Sequence, residues 1–199
     1  QLDITPNTYE AKPLNQEKGR IEVPVENAIQ SAVRVGRLMF NKNHPDYFKF
    51  QLLNTALGGY FGSRLMTNIR EDKGYTYGIS TGLSVLETAA YFFLSTEVGV
   101  EFREATIQEI FNELEDLRTN LIPEDELQKV KNYMLGDFLR HADGAIAMME
   151  NFKNIHFNRL KETYYSDFIK AVNEATAEEL RTLAQTYLQE KDLVVVTAG

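Results

Sequence analysis

Residues 53–80 are LNTALGGYFGSRLMTNIREDKGYTYGIS, and their pattern decides much of the fold. The first residues of this stretch are the last turns of an apolar helix, which ends at the glycine pair 58–59. A second, shorter helix is predicted over 61–72, and Gly74 ends it because glycine tolerates the left-handed conformation. The aromatic and β-branched run that begins at residue 75 is typical of a strand. The stretch therefore predicts two helices, a tight turn and a strand.

Other runs predict strands that can pair with this one. Val33 and Val35 alternate with residues on the opposite face, as in a half-buried strand. The connection from Leu86 to Thr88 is short enough for an antiparallel hairpin. The final run, LVVVTA, is apolar and β-branched, which indicates a buried strand. Strands are thus predicted over 30–39, 75–85, 89–100 and 193–198.

The second half of the chain is predominantly helical in pattern. Apolar residues recur at helical spacing in each segment, and Pro123 with three following acids makes a good first turn. Thr176 and Glu179 form a capping box for the last helix. Helices are predicted over 101–117, 123–139, 143–157, 162–173 and 176–188. Together these elements predict an α+β domain of two layers, a mostly antiparallel sheet packed against helices.

Composition excludes several classes of function. The net charge of −8 argues against binding to nucleic acid and to anionic membrane surfaces. No apolar run approaches the roughly 18–20 residues of a membrane helix, and no signal peptide begins the chain, so we expect a soluble domain of unspecified compartment. Residues 1–20 have the composition of a polar linker, and 21–199 are expected to form one domain. Both ends suggest a piece of a longer protein.

The residues alone predict no metal site and no nucleophile. There are three histidines and no cysteine, and neither H-x-x-E-H nor H-E-x-x-H occurs. His141 and Asp143 lie close in sequence, but two residues at a helix junction are most simply a surface or capping pair. The Gly82–Leu86 run lacks the second glycine of a nucleophile elbow. No metal ligand or cofactor is therefore predicted in this chain.

Arg70 and Tyr77 lie on either side of the predicted turn. A purely structural role would explain both residues, because an arginine in a last helical turn complements the helix dipole and tyrosines are common in strands. In a strand, Tyr75 and Tyr77 would share one face about 7 Å apart, so alternation does not choose between them. Composition and spacing leave a functional role for these residues open.

The order of the whole stretch closely resembles the second-half signature of the pitrilysin/insulinase-type zinc peptidases, which include mitochondrial processing peptidase. There a Leu-Asn helix ends in Gly-Gly, followed by Ser-Arg-Leu, Arg-Glu, a glycine, and a tyrosine seven residues after the arginine. The resemblance extends over residues 21–199, since HPDY and the helical second half are similar too. The matching positions are Leu53, Asn54, Gly58, Gly59, Ser63, Arg64, Leu65, Arg70, Glu71, Gly74 and Tyr77.

This resemblance implies a specific role for the domain. Family members pair two homologous halves around a chamber, and one half holds zinc through an H-x-x-E-H motif. The other half lacks zinc and contributes an arginine and a tyrosine that reach the substrate peptide. Arg70 and Tyr77 match these positions, which implies that they bind substrate and stabilise the oxyanion. Tyr75 is assigned to packing or substrate lining.

The implied partners are a zinc-bearing homologous half, in cis or as a second subunit, and a peptide substrate. Zinc is expected in that half, and the domain alone is expected to lack peptidase activity. One alternative is a non-catalytic partner or scaffold subunit of the same fold. Another is an independent peptide-binding module that uses an exposed sheet edge.

Overall fold

A computed structural model describes residues 15–16, 18–86 and 89–199, and its centre is one five-stranded sheet. The strand order is β1-β5-β2-β4-β3, with β1 and β3 at the edges. Three of the neighbouring pairs are antiparallel, whereas β1 and β5 are parallel. The strands are β1 Gly19–Val23, β2 Gln30–Met39, β3 Ile79–Val85, β4 Ala90–Gly99 and β5 Val194–Ala198.

Six α-helices accompany the sheet in the described ranges. The capping box predicted for the last helix is present, since the Thr176 hydroxyl accepts the Glu179 N–H and the Glu179 carboxylate accepts the Thr176 N–H. None of the described helices combines the length and apolar character that crossing a bilayer needs. The helices are α1 Tyr47–Asn54, α2 Arg103–Thr119, α3 Glu124–Ala142, α4 Ala145–Phe157, α5 Tyr164–Glu174 and α6 Ala177–Tyr187.

Two wide, π-helical segments lie in the stretch quoted above, Thr55–Gly59 and Met66–Asp72. The first continues α1 up to the glycine pair, and the second forms most of the predicted helix over 61–72. Single π turns inside helices are rare and often occur at functional sites.

The helices cover one face of the sheet. Along β4 the side chains alternate, with Phe92, Leu94 and Val98 buried in the core and Glu97 exposed on the other side. The buried side chains of β2 and β5 join the same core as the inward residues of the helices. The opposite face, called the open face below, carries residues such as Arg34 and Ser80. The predicted two-layer α+β fold is confirmed.

The first strand was not predicted. All five residues of β1 are exposed, so this strand carries no burial alternation that a sequence pattern could show. Its backbone pairs instead with β5, at the far end of the chain. Residues 1–14 and 17 of the predicted linker lie outside the described residues, whereas Gly19 and Arg20 belong to β1. The domain boundary near residue 20 stays a prediction.

Tyr187 joins the end of α6 to the loop before α1. Its hydroxyl donates to Asp46 Oδ2 at 2.7 Å, and burial together with this carboxylate raises the pKa of Tyr187 to about 12. An unfolded tyrosine ionises near pH 10. The unfolded state therefore loses its proton first, and the stabilisation, complete below pH 10, is lost as the pH rises to about 12.

Tyr187→Phe is expected to reduce the alkaline loss of stability. Between pH 9 and pH 12 the free energy of unfolding should fall less in the variant, by about 1–2 kcal/mol, because one of the tyrosines with a raised pKa is gone. Urea unfolding at the two pH values measures this difference. Equal falls in both proteins would contradict the linkage.

Candidate functional site

The chain turns back on itself directly after Arg70. Lys73 N–H donates to the Asn68 carbonyl at 3.1 Å, a bond five residues back that widens the helical turn. Gly74 follows with φ of +65°, the left-handed conformation that the sequence predicted there. Tyr75 N–H then donates to the Ile69 carbonyl at 3.0 Å. The returning chain thus lies alongside the segment that carries Arg70.

Arg70 and Tyr77 are in direct contact through the backbone. Arg70 Nε donates to the Tyr77 carbonyl oxygen at 3.0 Å. The guanidinium carbon lies 4.7 Å from the centre of the Phe61 ring, a cation–π geometry, and Nη1 lies 3.8 Å from the Glu71 carboxylate. These contacts hold the guanidinium in place and leave its two η nitrogens without a short hydrogen bond to the described residues.

The Tyr77 side chain extends into solvent. It is 96% exposed, and none of the described residues hydrogen bonds to its hydroxyl. The backbone on either side is fixed, by Arg70 at Tyr77 itself and by the Thr76 side chain just before it. A phenol held in this way can donate a hydrogen bond to an incoming group with little loss of backbone entropy.

The predicted strand position of the two tyrosines is wrong. The strand β3 begins at Ile79, and residues 75–78 form a loop before it. The two rings do not share a face, because Tyr75 stacks on Phe102 with ring centres 4.7 Å apart and packs against the core. Tyr75 therefore has a packing contact, whereas Tyr77 is exposed.

Thr76 holds this loop against β4, a role that sequence analysis missed. Its Oγ1 lies 2.8 Å from the Glu97 carbonyl oxygen and 2.9 Å from the Gly78 carbonyl oxygen, and it accepts the Gly78 N–H at 3.1 Å. The Thr96 hydroxyl lies 3.0 Å from the same Oγ1. A side-chain hydroxyl here takes the place of ladder hydrogen bonds, which is why the strand starts late. A single threonine in a strand-like run gives no signal of this.

Several other positions of the signature have structural roles. A Cβ on Gly58 would lie 2.7 Å from Thr81 Cγ2, so the glycine allows close approach to β3. Arg64, whose side chain is only 14% exposed, donates to both Glu126 carboxylate oxygens at 2.7 and 2.9 Å and also binds Asp116. These ion pairs fasten the signature segment to α2 and α3.

Carboxylates of α2 also bind the part of the signature segment that contains Asn68 and Lys73. Asn68 Nδ2 donates to Glu109 at 3.1 Å and to Glu113 at 2.7 Å, and Lys73 Nζ lies 3.3 Å from the Glu109 carboxylate. Burial acts to raise the pKa of Glu109, but the hydrogen bonds from Asn68 and Lys73 outweigh it, and this pKa is lowered. The charged form of Glu109 is therefore favoured, and it stabilises the turn that positions Arg70.

The described residues contain no group of three or more histidine, cysteine, aspartate or glutamate side chains placed to hold a metal ion. His44 Nδ1 accepts the Asp46 N–H at 3.2 Å, and the His141 ring nitrogen Nδ1 lies 2.9 Å from the Asp137 carbonyl. Within the described part of the chain, neither histidine lies among the three or four protein ligands that a zinc site uses.

A family model described as the peptidase M16 inactive domain matches residues 3–134. The matched region contains the Arg70–Tyr77 turn and four of the five strands. The chain belongs to the peptidase M16 inactive domain family. The resemblance to pitrilysin-type peptidases is thereby confirmed.

A related protein supports this assignment and shows how much of a longer protein the chain matches. The chain is 24% identical over 147 residues to the uncharacterized zinc protease YmxG of Bacillus subtilis, a match that covers 74% of this chain and 36% of YmxG. The match thus spans well under half the length of this relative.

Solved structures show the same fold. The peptidase M16 inactive domain from Pseudomonas fluorescens superposes with a TM-score of 0.88 at 24% identity, covering 98% of this chain and 47% of that one. A protease from Helicobacter pylori superposes with a TM-score of 0.87 at 18% identity, covering 100% of this chain and 48% of that one. At these identities the likeness concerns the fold alone.

Proposed function

We propose that this domain is the zinc-free part of a zinc metallopeptidase, in which Arg70 binds the substrate peptide and Tyr77 stabilises the transition state. The observation that supports this most directly is the exposed Tyr77 side chain on an ordered turn. None of the described residues hydrogen bonds to that hydroxyl, whereas neighbouring residues fix the backbone that presents it. Groups held in place without a structural use are typical of binding and catalytic sites.

A zinc ion held by a partner half would activate water for attack on the peptide carbonyl. The Tyr77 hydroxyl can donate a hydrogen bond to the oxygen where negative charge develops. The hydrogen bond from Arg70 Nε to the Tyr77 carbonyl holds the guanidinium in place. The two η nitrogens remain, and they can donate to a peptide carbonyl or carboxylate. The two donors therefore share one rigid turn, and both can reach the same peptide.

The zinc-bearing partner half belongs to this proposal as well. YmxG is a zinc protease of more than twice the length matched here. The homologous zinc half would lie on the same chain or on a second subunit, and the isolated domain would bind peptide without cleaving it. The rival proposal of a non-catalytic scaffold predicts no cleavage in any combination.

Arg70→Ala is expected to raise KM for a peptide by about tenfold or more, since charge-assisted hydrogen bonds contribute about 1.5–3 kcal/mol. The measurement is peptide hydrolysis by this domain combined with its zinc-bearing half. Arg140→Ala is the matched control, because Arg140 is 68% exposed on α3 and binds only Asp137 within its own helix among the described residues. An unchanged KM for Arg70→Ala would show that Arg70 does not bind the peptide. If the wild-type combination cleaves no peptide, the result favours the non-catalytic scaffold.

A further inference from the structure

A polar cleft lies beside Tyr77 on the open face of the sheet. Its volume is about 320 Å³, and the start of β2, the start of β3 and the end of β4 contribute its walls. The side chains of Gln30, Ser80 and Ser95 are uncharged. Among the described residues that line it, Glu97 is the one with a charged side chain. A peptide bound at Tyr77 would therefore meet a carboxylate next.

The backbone of Glu97 is joined to the loop that carries Tyr77. Its carbonyl oxygen lies 2.8 Å from the hydroxyl of Thr76, the residue before Tyr77. The Thr96 hydroxyl, one residue before Glu97, lies 2.9 Å from the Gly78 carbonyl oxygen. These two contacts cross between the loop and β4 in opposite directions. The backbone at Glu97 is thus tied to the loop that carries Tyr77, which keeps the two side chains on neighbouring positions of the open face.

The Glu97 carboxylate is available to an incoming cation. It is 63% exposed, and Arg34 Nη2 lies 3.5 Å from its Oε1, at the long limit of a hydrogen bond. Arg34 Nη1 is directed elsewhere, to the Thr96 carbonyl at 2.8 Å and the Val33 carbonyl at 3.0 Å. An exposed pair of this length contributes little to stability, so a basic side chain could displace Arg34 at small cost.

We propose that Glu97 is a specificity-determining residue that binds a lysine or arginine side chain of the peptide held at Tyr77. This inference rests on the proposed function, since it names the substrate class of the same site. A charge-assisted contact in a partly exposed cleft is worth about a fivefold preference for the basic peptide. The net charge of −8 favours the approach of cationic peptides as well.

The test uses this domain together with its zinc-bearing half. Two peptides differ only by lysine or methionine, side chains of similar length, and the substituted position is moved in turn along the peptide. Affinity is measured by fluorescence anisotropy with the zinc chelated, so that binding is observed without cleavage. At one position the lysine peptide should bind about fivefold more tightly. Glu97→Gln should abolish this preference and leave the methionine peptide unchanged.

A charge reversal makes the test sharper. Glu97→Lys should reverse the preference, so that a peptide with glutamate at that position binds more tightly than the lysine peptide. Glu101→Gln is the control, because Glu101 is an exposed carboxylate just beyond β4 that does not line the cleft. It should retain the wild-type preference.

The outcomes separate this inference from the proposed function. Equal affinities for the lysine and methionine peptides at every position in the wild type would overturn the Glu97 site, as would a preference that survives both Glu97 variants. The role of Tyr77 is judged separately, by the rate of cleavage in Tyr77→Phe with zinc restored. A normal rate in that variant would overturn the proposed function, while a preference lost in Glu97→Gln would still support the cation site.

Discussion

Tyr77→Phe is expected to lower kcat for peptide hydrolysis by about 10²–10³, the usual effect of removing one donor to an oxyanion. KM should change little, because the hydroxyl is proposed to act mainly in the transition state. The variant removes a single oxygen atom from a side chain that is 96% exposed. Its free energy of unfolding should therefore stay within about 0.5 kcal/mol of the wild-type value.

The measurement is steady-state hydrolysis of one peptide by this domain combined with its zinc-bearing half. Tyr91→Phe is the matched control, since Tyr91 lies on the open face at 44% exposure but toward the other end of β4. That variant should retain full kcat. A Tyr77→Phe enzyme with kcat within twofold of the control would show that the phenol is not an oxyanion donor.

Most of the fold could be predicted because its elements carry their own signals. The strand at 30–39 shows alternation, and β2 has these bounds. The capping box at Thr176 and Glu179 specifies where α6 begins, since both of its hydrogen bonds are local. The edge strand β1 had no such signal. It is exposed throughout and is defined by pairing with β5, a contact between the two ends of the domain.

The sequence gives the positions of the candidate residues along the chain but not their geometry. Spacing placed Arg70 and Tyr77 on either side of a glycine turn, and Gly74 does adopt positive φ there. The hydrogen bond between them uses the Tyr77 carbonyl, so it depends on the path of the backbone rather than on the type of side chain. The late start of β3 depends on the Thr76 hydroxyl, which competes with the strand ladder.

The signature contains residues of two physical kinds. Arg64 and Gly58 are required by contacts inside the domain, to Glu126 and to Thr81 respectively. The Tyr77 side chain is 96% exposed and makes no hydrogen bond within the described residues, although its backbone carbonyl accepts one from Arg70. A match to the signature alone does not separate the two kinds, whereas burial and hydrogen bonding do. Mutations of the first kind should therefore change stability, and mutations of the second kind should change activity.

Gly58→Ala is expected to lower the free energy of unfolding by about 1–3 kcal/mol, the usual cost of overpacking. The new Cβ would lie 2.7 Å from Thr81 Cγ2, 2.8 Å from Thr81 Oγ1 and 3.1 Å from its backbone nitrogen. Thr81 cannot rotate away freely, because its hydroxyl donates to the Asn54 carbonyl at 3.1 Å. Urea unfolding monitored by circular dichroism gives the change.

The control and a double mutant distinguish the steric effect from helix propensity. Gly136 lies inside α3, and no atom of the described residues outside its own helix backbone lies within 4 Å of a new Cβ there. Gly136→Ala should therefore raise the free energy of unfolding by up to about 1 kcal/mol. Thr81→Ala removes both atoms that clash most closely, and combining it with Gly58→Ala should cost less than the two single changes summed. The difference should be at least about 0.5 kcal/mol, because directly contacting residues couple by this much or more. Simple additivity would mean that the contact with Thr81 is not the cause of the lost stability.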